Sequence, residues 1–390
     1  MNHSFSSNFD KNPEHFPIKQ EFIYLNNCGI APLFRQAALA SARFMDTHCR
    51  RGAAVFQEYG NPLDDLHTEA AKLMETNPQN ISFMKNTAEA LSLIANGYPF
   101  QPGDEIISYV HEYPSNHYPW KMQEKRGVKL KLLGNVSVCD LKENPNPGGW
   151  SMEELKKSIT PKTRIVALSH VQFTSGFAAD LTELGELCLA NGIDLIIDTA
   201  QSLGSLPVLP EKMHISACAG SGWKWLLGPI GSGIMYTSEK FRKSLEVSAA
   251  GADIMEQGQN YLNHSWNPHT DGRRFEYSTI EVANAVALTQ CFRLIFNHYG
   301  PENIKKEIFR LQDLFLEHID PKKFSSALPE TKNRSGILSL LPVKKDDALP
   351  SRALSSGLFV GMRGGYLRIA PHIYNDDVEI IKAAAILNSI

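Results

Sequence analysis

From about residue 80 the chain alternates short apolar, β-branched runs with longer amphipathic stretches. The runs 106–110, 128–133, 164–168, 194–198 and 233–236 have the length of strands. The stretches 88–96, 152–159 and 181–191 between them carry a helical pattern. Strands alternating with helices predict a mostly parallel sheet covered by helices. In that class crossovers are right-handed and ligands bind beyond the carboxyl ends of the strands. The polar residues that follow these strands are therefore the first candidates for chemistry.

The flanking segments read differently. Residues 21–25 predict a short strand that leads into the turn Asn26-Asn27-Cys28-Gly29-Ile30-Ala31-Pro32. Pro32 is expected to open a helix reaching about residue 50, and a second helix is expected over 62–75. After residue 280 the pattern predicts a long helix over 281–299, helices over 302–319 and 376–389, and strands over 336–341 and 366–369. The expected division is a large domain, 19–280, and a smaller α+β domain joining 1–18 to 281–390.

Composition narrows the class of protein. With 390 residues the chain is long enough for two domains and a large core. It is 43% hydrophobic and 21% charged with net charge −3, which argues against disorder and gives no basic excess for nucleic acid. No apolar run approaches a membrane span. The first 17 residues are polar and lack the apolar centre of a secretory signal, and the first 20 are expected to form an arm or a short capping piece. Six cysteines (Cys28, Cys49, Cys139, Cys188, Cys218 and Cys291) are scattered without a CxxC pair. Reduced thiols in a cytoplasmic protein, with no metal site, are expected.

Three stretches carry candidate chemistry. Ser221-Gly222-Trp223-Lys224-Trp225-Leu226-Leu227-Gly228-Pro229 sets a lysine between two tryptophans. Apolar surroundings disfavour the ammonium, as a Schiff-base lysine requires, although a structural lysine snorkelling past apolar neighbours fits the same stretch. The run Asp194-Leu195-Ile196-Ile197-Asp198 ends a buried type of strand in an acid. Asp198 fits either a cap on the next helix or an anionic partner for a cationic heterocycle. Asn86-Thr87-Ala88-Glu89 opens a helix at capping-box spacing, and such an N-terminus with a hydroxyl suits a phosphate.

The order of these stretches resembles the pyridoxal-phosphate enzymes of the class V aminotransferase and cysteine desulfurase family. A helix-start Thr87 is followed by the turn Glu112-Tyr113-Pro114-Ser115-Asn116, then Ser169-His170, then Asp198 with Gln201 three residues on, then Ser-Gly-x-Lys. Tyr24-Leu25-Asn26-Asn27, the run from Gly272 to Thr279 and the run from Arg368 to Asn375 extend the resemblance over nearly the whole chain. The resemblance implies a fold-type I enzyme: a large α/β domain with a seven-stranded, mostly parallel sheet, and a small α+β domain. It implies pyridoxal 5′-phosphate held by Lys224 as a Schiff base, with Asp198 on the ring nitrogen and Gln201 on the ring hydroxyl. Thr87, the backbone of Ala88 and Ser221 would hold the phosphate, Tyr113 would stack on the ring, and Thr279 would reach a partner's phosphate across a homodimer. Arg368, with Asn27 nearby, would bind the substrate carboxylate.

Departures from the pattern bear on the reaction. Desulfurases carry a mobile nucleophilic cysteine shortly before the substrate arginine, whereas the run from Ser355 to Tyr366 contains none. Phe173 stands where desulfurases place Asn after His-Val-x, and Trp223 stands where the family often has a phosphate-binding histidine. The Asn-Asn-Cys-Gly start and the Glu-Tyr-Pro-Ser turn look more like the isopenicillin N epimerase-like and C–S lyase branch. The resemblance therefore implies chemistry through a Cα carbanion on an amino acid, ending in β-elimination or transamination. Epimerisation, or a non-catalytic protein that retains the fold, are the alternatives.

Overall fold

The computed structural model describes residues 9–136, 146–327 and 333–390. Cys139 lies outside them. In chain order the strands are β1 (Ile23–Tyr24), β2 (Ile81–Met84), β3 (Glu105–Tyr109), β4 (Lys129–Leu133), β5 (Thr163–Ser169), β6 (Asp194–Asp198), β7 (Ala217–Ser221), β8 (Gly233–Thr237), β9 (Phe324–Ser326), β10 (Leu338–Pro342), β11 (Leu358–Phe359), β12 (Gly361–Arg363) and β13 (Tyr366–Ile369). Seven of them form one sheet in the order β2-β8-β7-β6-β5-β3-β4. Neighbours from β4 to β7 run parallel, and β8 is antiparallel to both β7 and β2. The expected sheet is thus present, with seven strands and one reversed.

Strands buried on both faces explain the apolar runs. Along β5 and β6, Val166, Leu168, Leu195 and Ile197 enter one core cluster, while Ile165, Ala167 and Ile196 enter the other. Alternate side chains point to opposite faces, so each strand serves two cores at once. A fully buried aliphatic side chain contributes about 1.5–3 kcal/mol, so this doubly covered sheet carries much of the fold's apolar burial.

Two strands of the sheet escape the sequence pattern. β7 reads Ala-Cys-Ala-Gly-Ser, with no β-branched residue. Its small side chains are a packing requirement: the helix Thr87–Gly97 lies on it, and a Cβ on Gly220 would come within 2.9 Å of Thr199 Oγ1. β2 is only four residues long and pairs at the sheet edge with β8 alone. The helix expected from Pro32 begins later, at Arg35, and runs to Arg51. The helix expected over 281–299 is helical throughout, with a π-helical turn at Phe292–Phe296 between Val282–Cys291 and Asn297–Tyr299.

A second, antiparallel sheet has the order β12-β13-β10-β9. Leu338, Leu340, Leu367 and Ile369 from this sheet pack with Leu311 and Phe315 of the helix Pro301–His318 and Ile380 and Ala384 of the helix Asp377–Ser389. Ile23 and Leu25 join the same cluster, and β1 pairs in parallel with β11. The early turn is thereby carried to the C-terminal segments. Among the described residues no helix is long and apolar enough to cross a membrane.

Candidate active site

Strands β3, β5, β6 and β7 are parallel, so their carboxyl ends share one edge of the sheet. The chain order reverses there, because β4 lies on one side of β3 while β5 to β7 lie on the other. That is where an open α/β sheet forms its crevice. A cavity of about 510 Å³ occupies it, closed on the far side by β12 and β13.

Lys224 reaches this cavity from the loop after β7. The loop is fixed from three directions. Gly222 donates to Ser232 O at 2.8 Å, Trp223 O accepts from Ala31 N at 2.9 Å, and Trp225 O faces His372 Nε2 at 3.0 Å. Trp225 is fully buried and donates through its indole N–H to Gln201 Oε1 at 3.1 Å. Of the two tryptophans, Trp225 is thus the anchor, and Trp223 turns toward the cavity. Lys224 Nζ makes no hydrogen bond or ion pair among the described residues and lies 5.4 Å from the centre of the Tyr113 ring. Burial holds its ammonium below the usual range, with a further push from Arg368; Asp198 pulls the other way.

Asp198 ends β6, is 5% exposed, and accepts one hydrogen bond, from Ala200 N at 2.8 Å. Burial raises its carboxyl above the usual range, against the Ala200 N–H and the charge of Lys224. The helix Thr87–Gly97 points its N-terminus into the same cavity. Asn86 caps it through Glu89 N at 2.8 Å, and Thr87 Oγ1 lies 3.1 Å from Ser221 Oγ. Asn86, Thr87, Ala88 and Ser221 all line the cavity. Backbone N–H groups and two hydroxyls converge there, the donor set that an anion requires.

Arg368 lies on β13, 3% exposed. Its Nη1 donates to Phe173 O at 2.8 Å, its Nε has no partner, and no carboxylate pairs with it among the described residues. Gln201 also lines the cavity, but its amide is engaged: Nε2 donates to Cys28 O at 2.9 Å while Oε1 accepts from Trp225. Tyr113 is 43% exposed at the mouth, edge-on to Phe173 with ring centres 5.2 Å apart.

Eight of the ten residues singled out from the sequence line this one cavity: Thr87, Ala88, Tyr113, Asp198, Gln201, Ser221, Lys224 and Arg368. Asn27 and Thr279 do not. Asn27 is fully buried and tied into the framework, donating to Ala370 O at 2.8 Å and accepting from Tyr374 Oη at 2.9 Å. Thr279 is exposed, on the segment that follows Phe275, beside the N-terminal turn of the helix Thr87–Gly97. Ser169 lines the cavity, whereas His170 is buried off it.

Among the residues not singled out, Glu112 and Arg363 bear on the site. Glu112 is buried, accepts from Ser169 N at 2.8 Å and Gln172 Nε2 at 3.1 Å, and is pushed up to about 7, chiefly by burial. Arg363 lines the cavity from β12. The turn motif around Tyr113 contained a signal for Glu112. Nothing local marked Arg363, because its position depends on a hairpin formed with β13.

Comparison with known proteins bears on the chain as a whole. The profile of the aminotransferase class-V family matches residues 23–358. The chain belongs to the class-V aminotransferase family. A probable cysteine desulfurase of Pyrococcus abyssi is 27% identical over 78% of this chain and 74% of its own length. One of Methanothermobacter thermautotrophicus is 24% identical over 93% of both. Among solved structures, the apo cysteine desulfurase of Thermococcus onnurineus superposes with a TM-score of 0.84 at 22% identity, covering 97% of this chain and 96% of that one. The cystine C–S lyase C-DES in complex with cysteine persulfide gives 0.86 at 21% identity, covering 96% and 99%. These likenesses show the shared fold, that of the fold-type I enzymes.

This class-V family member is a pyridoxal-phosphate-dependent enzyme, and its residues fit that cofactor. A buried amine without a partner, a buried carboxylate with a single backbone donor, and a helix N-terminus flanked by two hydroxyls match an aldehyde, a ring nitrogen and a phosphate. Because burial disfavours the Lys224 ammonium, neutral amine persists to lower pH there than on the surface. Amine-directed labelling of the apoprotein, read by peptide mass spectrometry across a pH series, should modify Lys224 at lower pH than exposed lysines. Labelling of Lys224 only at the pH of exposed lysines would contradict this assignment.

Proposed function

We propose that this chain is an amino-acid lyase of the C–S β-elimination type, releasing its sulfur leaving group directly. The observation that carries the reading is the buried Arg368, without a carboxylate partner, in one cavity with Lys224 and Asp198. A guanidinium so placed holds an α-carboxylate and turns Cα toward the amine. The bound cofactor draws electrons from Cα and lowers the cost of removing its proton. The residues do the rest. Asp198 keeps a proton on the ring nitrogen, and Thr87, Ser221 and the N–H groups from Ala88 onward hold the phosphate. Tyr113 and Gln201, the latter braced by Trp225, would contact the cofactor ring from the cavity wall. Lys224 Nζ, whose ammonium burial disfavours, accepts the Cα proton and can pass it to a leaving group on Cβ.

β-Elimination is favoured over sulfur transfer by what the arginine-bearing hairpin lacks. No cysteine lies between Ser355 and Arg368, and Cys28 alone of the described cysteines lines the cavity. Cys28 is 1% exposed, with its thiol 3.8 Å from Asn26 Oδ1. It behaves as a small packed residue at the base of the early turn. The proposal also includes a two-fold homodimer in which the exposed Thr279 approaches the partner's phosphate site.

Three outcomes test this reading. Asp198→Ala should lose on the order of 10²–10³ in turnover while keeping the cofactor on Lys224, since preorganised electrostatics is often the largest catalytic term. Near-normal turnover in that variant would remove Asp198 from the mechanism. A screen of sulfur amino acids should yield keto acid, ammonia and sulfide in step, and Cys28→Ser should keep most of the activity. A substrate-derived sulfur adduct on Cys28, with activity lost in Cys28→Ser, would make the enzyme a persulfide-forming desulfurase instead. Sedimentation velocity of the holoenzyme should report a dimer; a fully active monomer would refute the Thr279 role.

A further inference from the structure

The hairpin β12–β13 brings two arginines to one face. Gly361 pairs with Arg368 and Arg363 pairs with Tyr366. Paired residues in an antiparallel ladder share a face, and so do residues two apart. Arg363 and Arg368 are therefore diagonal neighbours, with backbones roughly 7–8 Å apart. Both line the cavity. Gly361, opposite Arg368, leaves the space that the guanidinium crosses: a Cβ there would lie 3.6 Å from Arg368 Nη2.

The hairpin holds this arrangement. Its turn is Gly364-Gly365, with φ of +56° and +82°. Positive φ at both central residues is the two-residue turn that fixes register in a twisted hairpin. The tip is also seated against the rest of the chain. A Cβ on Gly364 would meet Thr174 Cγ2 at 3.1 Å, and one on Gly365 would meet Asn146 Oδ1 at 2.8 Å. Arg363 is thus presented from a fixed frame.

The charges around the cavity do not balance. Its ionisable side chains include Asp198, Lys224, Arg363 and Arg368. In the proposed function Asp198 and Lys224 are both engaged by the cofactor, and Arg368 takes the α-carboxylate. Arg363 remains, exposed to the cavity, with only Met362 O accepting from it at 2.8 Å and no carboxylate partner among the described residues. With no protein carboxylate facing Arg363 among the described residues, a second anion on the ligand would give it a charged partner.

We propose that Arg363 binds an anionic group at the end of the substrate side chain, so that the preferred substrates are amino acids with a second, distal carboxylate or similar anion. The inference rests on the assignment of Arg368 to the α-carboxylate. A charge-assisted contact of this kind, partly open to water, is expected to change affinity about tenfold.

Binding to the holoenzyme tests it without requiring turnover. Succinate, glutarate and adipate are each compared with the monocarboxylate of equal chain length by isothermal titration calorimetry. At least one dicarboxylate should bind about tenfold more tightly than its monocarboxylate partner. Arg363→Gln should abolish that preference and leave monocarboxylate binding unchanged, and Arg363→Lys should restore part of it. Equal binding of mono- and dicarboxylates across the series, or a preference that survives in Arg363→Gln, would overturn the proposal. If monocarboxylates bind but show no dicarboxylate advantage, the Arg363 site alone fails. If neither class binds, the Arg368 assignment fails with it.

Discussion

The burial of Trp225 is the constraint on which the site depends. Its ring is fully enclosed, and an aromatic of this size removes 150–250 Å² from water, worth roughly 4–6 kcal/mol. The surroundings are fitted to it closely. A Cβ on Gly336 would come within 2.6 Å of the ring, and one on Gly204, which has φ +102°, within 2.4 Å of the Trp225 carbonyl oxygen. His372 reads that carbonyl with Nε2 and accepts Ile373 N on Nδ1 at 2.9 Å, which fixes its tautomer. Burial pushes His372 down to about 4, so it stays neutral at ordinary pH. The residue after Lys224 thus joins the loop after β6, the segment before β10 and the C-terminal turn. Lys224 is placed by what its neighbour packs against.

Around that anchor the cavity concentrates charges whose partners are not protein groups. Lys224 is held below its usual range and Asp198 above it, both chiefly by burial. Arg368 is buried with one carbonyl acceptor and an unpartnered Nε. A structural ion-pair network would close these groups on one another. Here they face open space, as expected where ligands supply the missing charges. Glu112 completes the frame, its carboxyl tying the turn after β3 to the end of β5 through Ser169 and Gln172.

The residues legible in the sequence are those whose chemistry is written locally. Lys224, Asp198 and Thr87 each follow a strand or open a helix in a recognisable context, and the shared direction of β2, β6 and β7 carries them to one edge. Asn27 sat in an equally suggestive turn, yet its amide is spent on Ala370 O and Tyr374 Oη. Gln201 enters the cavity with its amide braced by Trp225 and Cys28 O. In both cases partners more than 20 residues away decide where the donor and acceptor point, and no local pattern encodes that.

By itself the sequence determined the alternation of strands and helices, the parallel sheet and the line of polar side chains at its carboxyl edge. Hydrophobic period and strand-end chemistry are properties of short segments, so they survive without a fold. Only the tertiary structure decided the rest. β7 is a strand because its small side chains let the helix Thr87–Gly97 lie on it, not because it has strand composition. Arg363 stands beside Arg368 because a two-residue turn sets the register of β12 on β13. Those facts depend on contacts between segments far apart in the chain, and they exist only once the chain has folded.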